Sequence, residues 1–394
     1  MRENAGMTGD RIGEVAHRVV ITGIGVCSPL GGSATEMFRN LMHSETALRN
    51  WSDLETEGYR CSIAARIEDV PGNPLRRGGT LALLAARQAV HMSRANLPIN
   101  TGVYIGSTLG ESLAFERAAE GESLDVREYG IPSITDAVRQ DFAFSGPAQS
   151  LATACAAGNY AVGAAMEDVR SGRVPFAIAG GVEPFSRLSM VGFTRSRAMA
   201  SDTCRPFDMR RSGMMLGEGA AMFVLETAER AVARDATPLA EVVALGLSCD
   251  AYHPTAPRPD GSGMKRAMQA AIDEAGLSPG MIDWVNAHGS GTRASDAAEA
   301  CALRGLFGNE LPIVSGSKGS LGHALGASSA LELAVCVQGL LEQTVPPTVG
   351  HQTPDTDGVP CTREPVRRPL RWILNNAFAF GGLNSSLLLR RYDS

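Results

Sequence analysis

Thr153-Ala154-Cys155-Ala156-Ala157-Gly158-Asn159 sets a cysteine at the mouth of an alanine-rich helix, and His323-Ala324-Leu325-Gly326 opens another in the second half of the chain. This parallel decides the fold, because it points to one α/β unit present twice. Around the cysteine, a helix from Ala164 ends in the turn Ser171-Gly172-Arg173, and Phe176–Ala179 reads as a strand running into Gly180-Gly181. Upstream, Arg18–Thr22 is a β-branched strand, Thr80–Arg94 has helical period, and Val103–Ile105 is a strand ending in Gly106-Ser107. The second half repeats the grammar. Strand Glu241–Gly246, helix Met264–Glu274, strand Asp283–Asn286, helix Ser295–Leu306, strand Ile313–Gly316 and helix Ala330–Leu341 lead to strands Trp372–Ala377 and Ser385–Arg390. Short apolar strands alternating with helices specify an α/β fold with largely buried sheets. The expected organisation is a disordered tail over 1–17, one half over 18–238 and a second over 239–394, packed together.

Composition narrows the class. The chain has 394 residues, 36 Lys+Arg against 42 Asp+Glu, a net charge of -6 and 44% hydrophobic residues. This describes a globular protein, and the acidic balance argues against nucleic-acid or membrane-surface binding, which wants a basic face. Residues 1–17 carry charges throughout and no apolar core of a signal peptide. The stretch Ala330–Leu341 is too short to span a bilayer. The eight cysteines show no CxxC and no zinc spacing, and are too dilute for a disulfide scaffold. A reducing, cytoplasmic location with free thiols and no metal is expected.

Four stretches carry chemistry. Gly23-Ile24-Gly25 after the first strand invites a dinucleotide reading, but the third glycine position holds Ser28, so the fingerprint fails. Cys155 is flanked by small residues at a helix N-terminus, where unpaired N–H groups favour the thiolate. Val285-Asn286-Ala287-His288-Gly289-Ser290-Gly291-Thr292 ends a strand and puts His288 in a glycine loop with two hydroxyls, where α/β folds hold ligands. Ser315-Gly316-Ser317-Lys318-Gly319-Ser320-Leu321-Gly322-His323 repeats that arrangement, with Lys318 before His323 and Glu332 after it. A lysine near two imidazoles holds at least one neutral. The P-loop pattern GxxxxGK[ST] is absent. Asn375-Asn376-Ala377-Phe378-Ala379-Phe380-Gly381-Gly382-Leu383-Asn384-Ser385 joins glycines and two aromatics, a composition suited to an oxyanion site with a gate. Each stretch alone also suits a structural role: a small buried thiol, a satisfied histidine, a turn between strands.

In this order, Cys155, His288, Lys318, His323 and Phe380-Gly381-Gly382 make the chain resemble the β-ketoacyl-acyl carrier protein synthases, most closely the synthase II type and its polyketide relatives. The likeness runs from about Arg18 to Tyr392 and includes Pro206-Phe207-Asp208, Leu216-Gly217-Glu218-Gly219, Cys249-Asp250-Ala251-Tyr252-His253-Pro254-Thr255 and Gln343-Thr344-Val345-Pro346-Pro347-Thr348. The resemblance implies the thiolase fold, two duplicated α/β halves in a five-layer αβαβα sandwich, usually a homodimer. It also implies a decarboxylative Claisen condensation. Cys155 would take the acyl chain from an acyl carrier protein; His288 and His323 would bind the malonyl thioester; Lys318 and Glu332 would orient the His323 side. The oxyanion hole would be the backbone N–H groups of Cys155 and Phe380, Phe380 with Gly381 and Gly382 would form the gate, and Ser290 and Thr292 would meet the pantetheine. Phe193, Leu109 and Phe378 fall near substrate-pocket positions. No cofactor is implied beyond the phosphopantetheine arm that arrives on the carrier. Thiolases keep a second cysteine at the final glycine turn, where this chain has Phe380 and its nearest cysteine is Cys361.

The chain also departs from the family. Ser290 replaces a usual Thr and keeps the hydroxyl, Leu383 replaces a Thr after the gate, and Ile131-Pro132-Ser133 ends closer to Cys155 than in synthase II. Arg76 and Arg77 fall where the family offers basic residues to the carrier; a solvated face is the equal alternative. A catalytically silent subunit that sets chain length within a heterodimer is the competing reading. Such subunits typically lose the nucleophile, which this chain keeps.

Overall fold

The computed structural model describes residues 17–54, 61–355 and 358–393; most of the expected N-terminal tail lies outside them. Ten strands form one sheet: β1 (Val19–Cys27), β2 (Gly102–Gly106), β3 (Ala148–Leu151), β4 (Phe176–Glu183), β5 (Gly219–Thr227), β6 (Ala240–Cys249), β7 (Trp284–Asn286), β8 (Ile313–Ser315), β9 (Trp372–Phe378) and β10 (Leu383–Arg390). Across the sheet the order is β8-β7-β9-β10-β6-β1-β5-β4-β2-β3. Each set of five strands therefore follows the same pattern, third-second-fourth-fifth-first, and the duplication seen in sequence is a duplication of topology. In each half the second, third and fourth strands run parallel, and the fifth is antiparallel to its two neighbours.

Within the large sheet, among the described residues, the strands of the two halves pair only where Val19–Ile21 meets Ala240–Val242. Beyond that seam they diverge, and two helices fill the gap: α1 (Ala157–Arg170) from the first half and α2 (Ser328–Glu342) from the second. Their approach is close enough to demand Gly158, because a Cβ there would lie 2.8 Å from the Ala330 amide nitrogen and from Ser329 Oγ. Helix α2 touches both halves of the sheet, meeting Gly181 of β4 and, through Gly339, Trp284 of β7. Outside lie Arg77–Ser93 against the first half of the sheet and Ser262–Glu274 against the second, with Arg293–Phe307 packed on Ser262–Glu274. The result is the five-layer sandwich that the resemblance implied.

Two readings need correction. The helical stretch Leu325–Glu342, at 18 residues, is long and apolar enough to cross a membrane, but 89% of it is buried in the central layer, which explains its all-round apolar composition. The internal parallel holds with a shifted register. The 3-10 turns Ala154–Ala156 and Leu325–Ala327 precede the two central helices, and each begins with a left-handed residue, Ala154 at φ 48° and Leu325 at φ 42°. Cys155 thus corresponds to Gly326, three residues beyond His323, with which the sequence parallel had matched it.

Candidate active site

The site forms where the two central helices begin. A cavity of about 290 Å3 is lined by Cys155, His288, His323, Ser290, Thr292, Phe193, Phe378 and Phe380, among others. Cys155 sits in the turn that enters α1, and its own N–H and that of Phe380 both donate toward its sulfur. Burial nevertheless pushes the thiol up to about 12, against the opposing pull of the Lys318 charge and the two amides. The helix-terminus preference for thiolate is therefore outweighed by desolvation.

The two imidazoles stand edge to face, ring centroids 5.3 Å apart. Both are buried, and burial first, then the Lys318 charge, holds each well below the ordinary histidine value. They are neutral donors. At His323 the tautomer is fixed: the Leu325 N–H, which can only donate, points at Nδ1 at 3.2 Å, and Ser328 Oγ lies 2.8 Å from the same atom. The proton must reside on Nε2. His288 Nδ1 has no partner among the described residues. Its ring lies 6.2 Å from that of Phe378, and its main chain is held by Glu299, whose two oxygens accept the N–H groups of His288 and Gly289 at 2.9 Å.

Lys318 and Glu332 form a buried ion pair, Nζ to Oε1 2.7 Å. The expected link to His323 needs correction. Lys318 Nζ donates to the His288 carbonyl oxygen, and Ser317 Oγ donates to Glu332 at 3.1 Å. The pair thus anchors the His288 loop to α2 and reaches His323 only through its field. Ser290 and Thr292 hydroxyls lie 3.0 Å apart, and Asp296 backs Ser290 and accepts the Gly291 N–H.

The glycine turn lies beside the cysteine. Phe380 is 38% exposed, and its ring is 5.6 Å from that of Phe193. Gly381 and Gly382 both have positive φ, 82° and 72°, which explains the glycine pair. Leu109 does not line the cavity; its N–H donates to Glu183, which also accepts the N–H groups of Thr108 and Gly326. Burial raises Glu183 to about 7. Arg77 is engaged inside the fold, with two donations to buried Glu218 and one to the Ile67 carbonyl. Arg76 stacks on Tyr129. Sequence reading missed Glu183, Glu299, Asp296 and Ser328. Only Asp296 left a signal, an acid in the first turn of a helix.

A cysteine at a helix entrance, faced by two neutral histidines and two convergent amides within a duplicated α/β shell, defines a carbon–carbon bond-forming condensing enzyme of the thiolase fold. Residues 77–231 match the β-ketoacyl synthase N-terminal domain and residues 239–352 the C-terminal domain, so the chain belongs to the β-ketoacyl synthase family. It is 35% identical to nodulation protein E of Rhizobium meliloti, over 95% of this chain and 99% of that one. It is 33% identical to 3-oxoacyl-[acyl-carrier-protein] synthase 2 of Staphylococcus aureus, over 96% and 99%. The solved structure of the ishigamide ketosynthase/chain length factor superimposes with a TM-score of 0.90 at 34% identity, covering 96% of this chain and all of that one.

Proposed function

We propose that Cys155 carries the acyl chain and that His288 and His323 serve the malonyl thioester in a decarboxylative condensation giving a β-ketoacyl carrier protein. In the first step the Cys155 sulfur attacks the acyl thioester carbonyl, and the carrier thiol leaves with the proton. In the second, the malonyl thioester loses its carboxylate as carbon dioxide or bicarbonate. The enolate oxygen that develops accepts from neutral imidazole, and an Nε2–H donor at His323 suits that charge. The carbanion then attacks acyl-Cys155. The oxyanion faces the N–H groups of Cys155 and Phe380, and its collapse expels the Cys155 sulfur as a thiolate, which takes up a proton from solvent to restore the thiol. The fixed His323 tautomer is the single observation that carries this reading.

The scheme needs no group beyond the pantetheine arm, for which Ser290 and Thr292 offer hydroxyls along the cavity wall. Arg197 and Arg293, both exposed at the cavity lining, form the basic approach for an acidic carrier in place of Arg76 and Arg77. A homodimer would form through β3, the terminal strand of the sheet, whose outer edge has no partner among the described residues. A heterodimer with a related subunit would use the same edge. Eight free cysteines support a cytoplasmic location. The test is His323→Ala: acyl transfer to Cys155 persists, while product from malonyl carrier falls by at least about a hundredfold. Unchanged condensation removes the assignment.

A further inference from the structure

We propose that Ser328 is a positioning residue for the condensation, its hydroxyl backing His323 so that Nε2–H stays aimed at the enolate oxygen. This role rests on the condensing-enzyme reading, and it makes the two histidines unequal.

Ser328 is the first residue of α2 and is 4% exposed. A serine at a helix start ordinarily turns its hydroxyl onto nearby backbone groups. Here it does not. Among the described residues the Ser328 hydroxyl meets one partner, His323 Nδ1, at 2.8 Å. The neighbouring Ser329 makes the structural contacts: its hydroxyl accepts the Asn159 N–H at 3.0 Å, and its carbonyl accepts the Asn375 side-chain amide at 2.9 Å. Ser329 thus ties α2 to α1 and to β9, while Ser328 faces the imidazole.

The second donor to Nδ1 is the Leu325 N–H at 3.2 Å, from a residue at φ 42°, where leucine is disfavoured. The serine bond is the shorter, and Ser328 itself is helical, at φ -53°. Because Nδ1 accepts from Leu325, the Ser328 O–H must donate as well. That donation draws electron density from the ring and strengthens the Nε2–H donor on its far side. Serine hydroxyl, imidazole and Nε2–H then point one way, toward the oxygen on which charge develops. A neutral imidazole at a helix N-terminus polarises a carbonyl in the same sense.

His288 lacks such backing. Its Nδ1 meets no partner among the described residues, and the residue is held by its main chain, through Glu299 and Lys318. Of two rings 5.3 Å apart, His323 is therefore the one whose donor is fixed before the substrate arrives.

The experiment compares wild type, Ser328→Ala and Ser328→Thr in two single-turnover steps: loading of Cys155 from acyl carrier, and discharge of purified acyl-enzyme by malonyl carrier. Alanine favours the helix and removes only the hydroxyl, whereas threonine keeps an O–H at the same place. Loading is expected within about twofold of wild type in both variants, since the contact serves the later step. Discharge should fall about tenfold in Ser328→Ala, as for one lost hydrogen bond, and recover to within about threefold in Ser328→Thr. Nitrogen NMR of isotopically labelled histidine, assigned through His323→Ala, reads the contact itself. The His323 Nδ1 resonance should move toward that of a free imine nitrogen in Ser328→Ala and return in Ser328→Thr. Unchanged discharge in Ser328→Ala, an equal fall in loading and discharge, or an unmoved Nδ1 resonance overturns the proposal. Should threonine fail to fold, the alanine rates and the resonance decide alone. Wild-type acyl-enzyme that malonyl carrier never discharges overturns the condensing reading itself, a separate outcome.

Discussion

Individual side chains divide the chemistry by environment. The lowered histidines keep their donor form on acidification, so condensation from preloaded acyl-enzyme should show no loss of rate centred near the ordinary histidine value of 6.5. A rate profile with that limb would contradict the assignment. Cys155, pushed up to about 12, should be alkylated by iodoacetamide at a rate that rises about tenfold per pH unit through pH 9 without levelling. A plateau near 8.5 would show an ordinary thiol. Lys318→Met leaves Glu332 buried and unpaired, and should cost about 3–5 kcal/mol in chemical denaturation. A loss under about 1 kcal/mol would mean the pair is dispensable. Cys155, His288 and His323 were legible because their neighbours are glycines, serines and alanines, an uncommon setting for chain interior. Glu183 and Glu299 were not, since each holds backbone amides that folding brings in from other segments.

Among the elements, regular pattern decided what could be read. Most strands and helices of the second half appear within a few residues of their expected places, because β-branched runs and helical period coincide with burial. Strand β3, Ala-Gln-Ser-Leu, is polar and partly exposed and carries no strand signal. The correspondence between the two central helices was misplaced by three residues, because composition locates an alanine-rich helix without locating its first turn. That turn is set by the left-handed Ala154 and Leu325, which no propensity favours. The helix crossing yields its own prediction. Gly158→Val should lower the melting temperature strongly, as its branches would enter backbone of α2, while Gly280→Ala, exposed with open space around it and no left-handed φ, should change it little. Equal effects would argue against close helix contact at Gly158.

At the scale of the molecule, the site exists only because two halves share one central layer. Cys155 belongs to the first half, both histidines to the second, and helix α2 packs on strands from each. The halves should therefore unfold together, with near- and far-ultraviolet circular dichroism reporting one coincident transition. Two separated transitions would describe independent domains. Carrier docking also belongs to this scale: Arg197→Glu should lower kcat/KM for carrier thioesters about tenfold, with the difference shrinking as salt rises.

The whole scheme turns on Cys155 accepting an acyl group and giving it up to a malonyl-derived carbanion. Intact-mass measurement of the protein after acyl carrier, and again after malonyl carrier, tests both halves of it. Wild type should carry one acyl mass and Cys155→Ala none, with loss of that mass and appearance of β-ketoacyl carrier when malonyl carrier is added. An adduct that survives Cys155→Ala, or one that malonyl carrier never discharges, would contradict it.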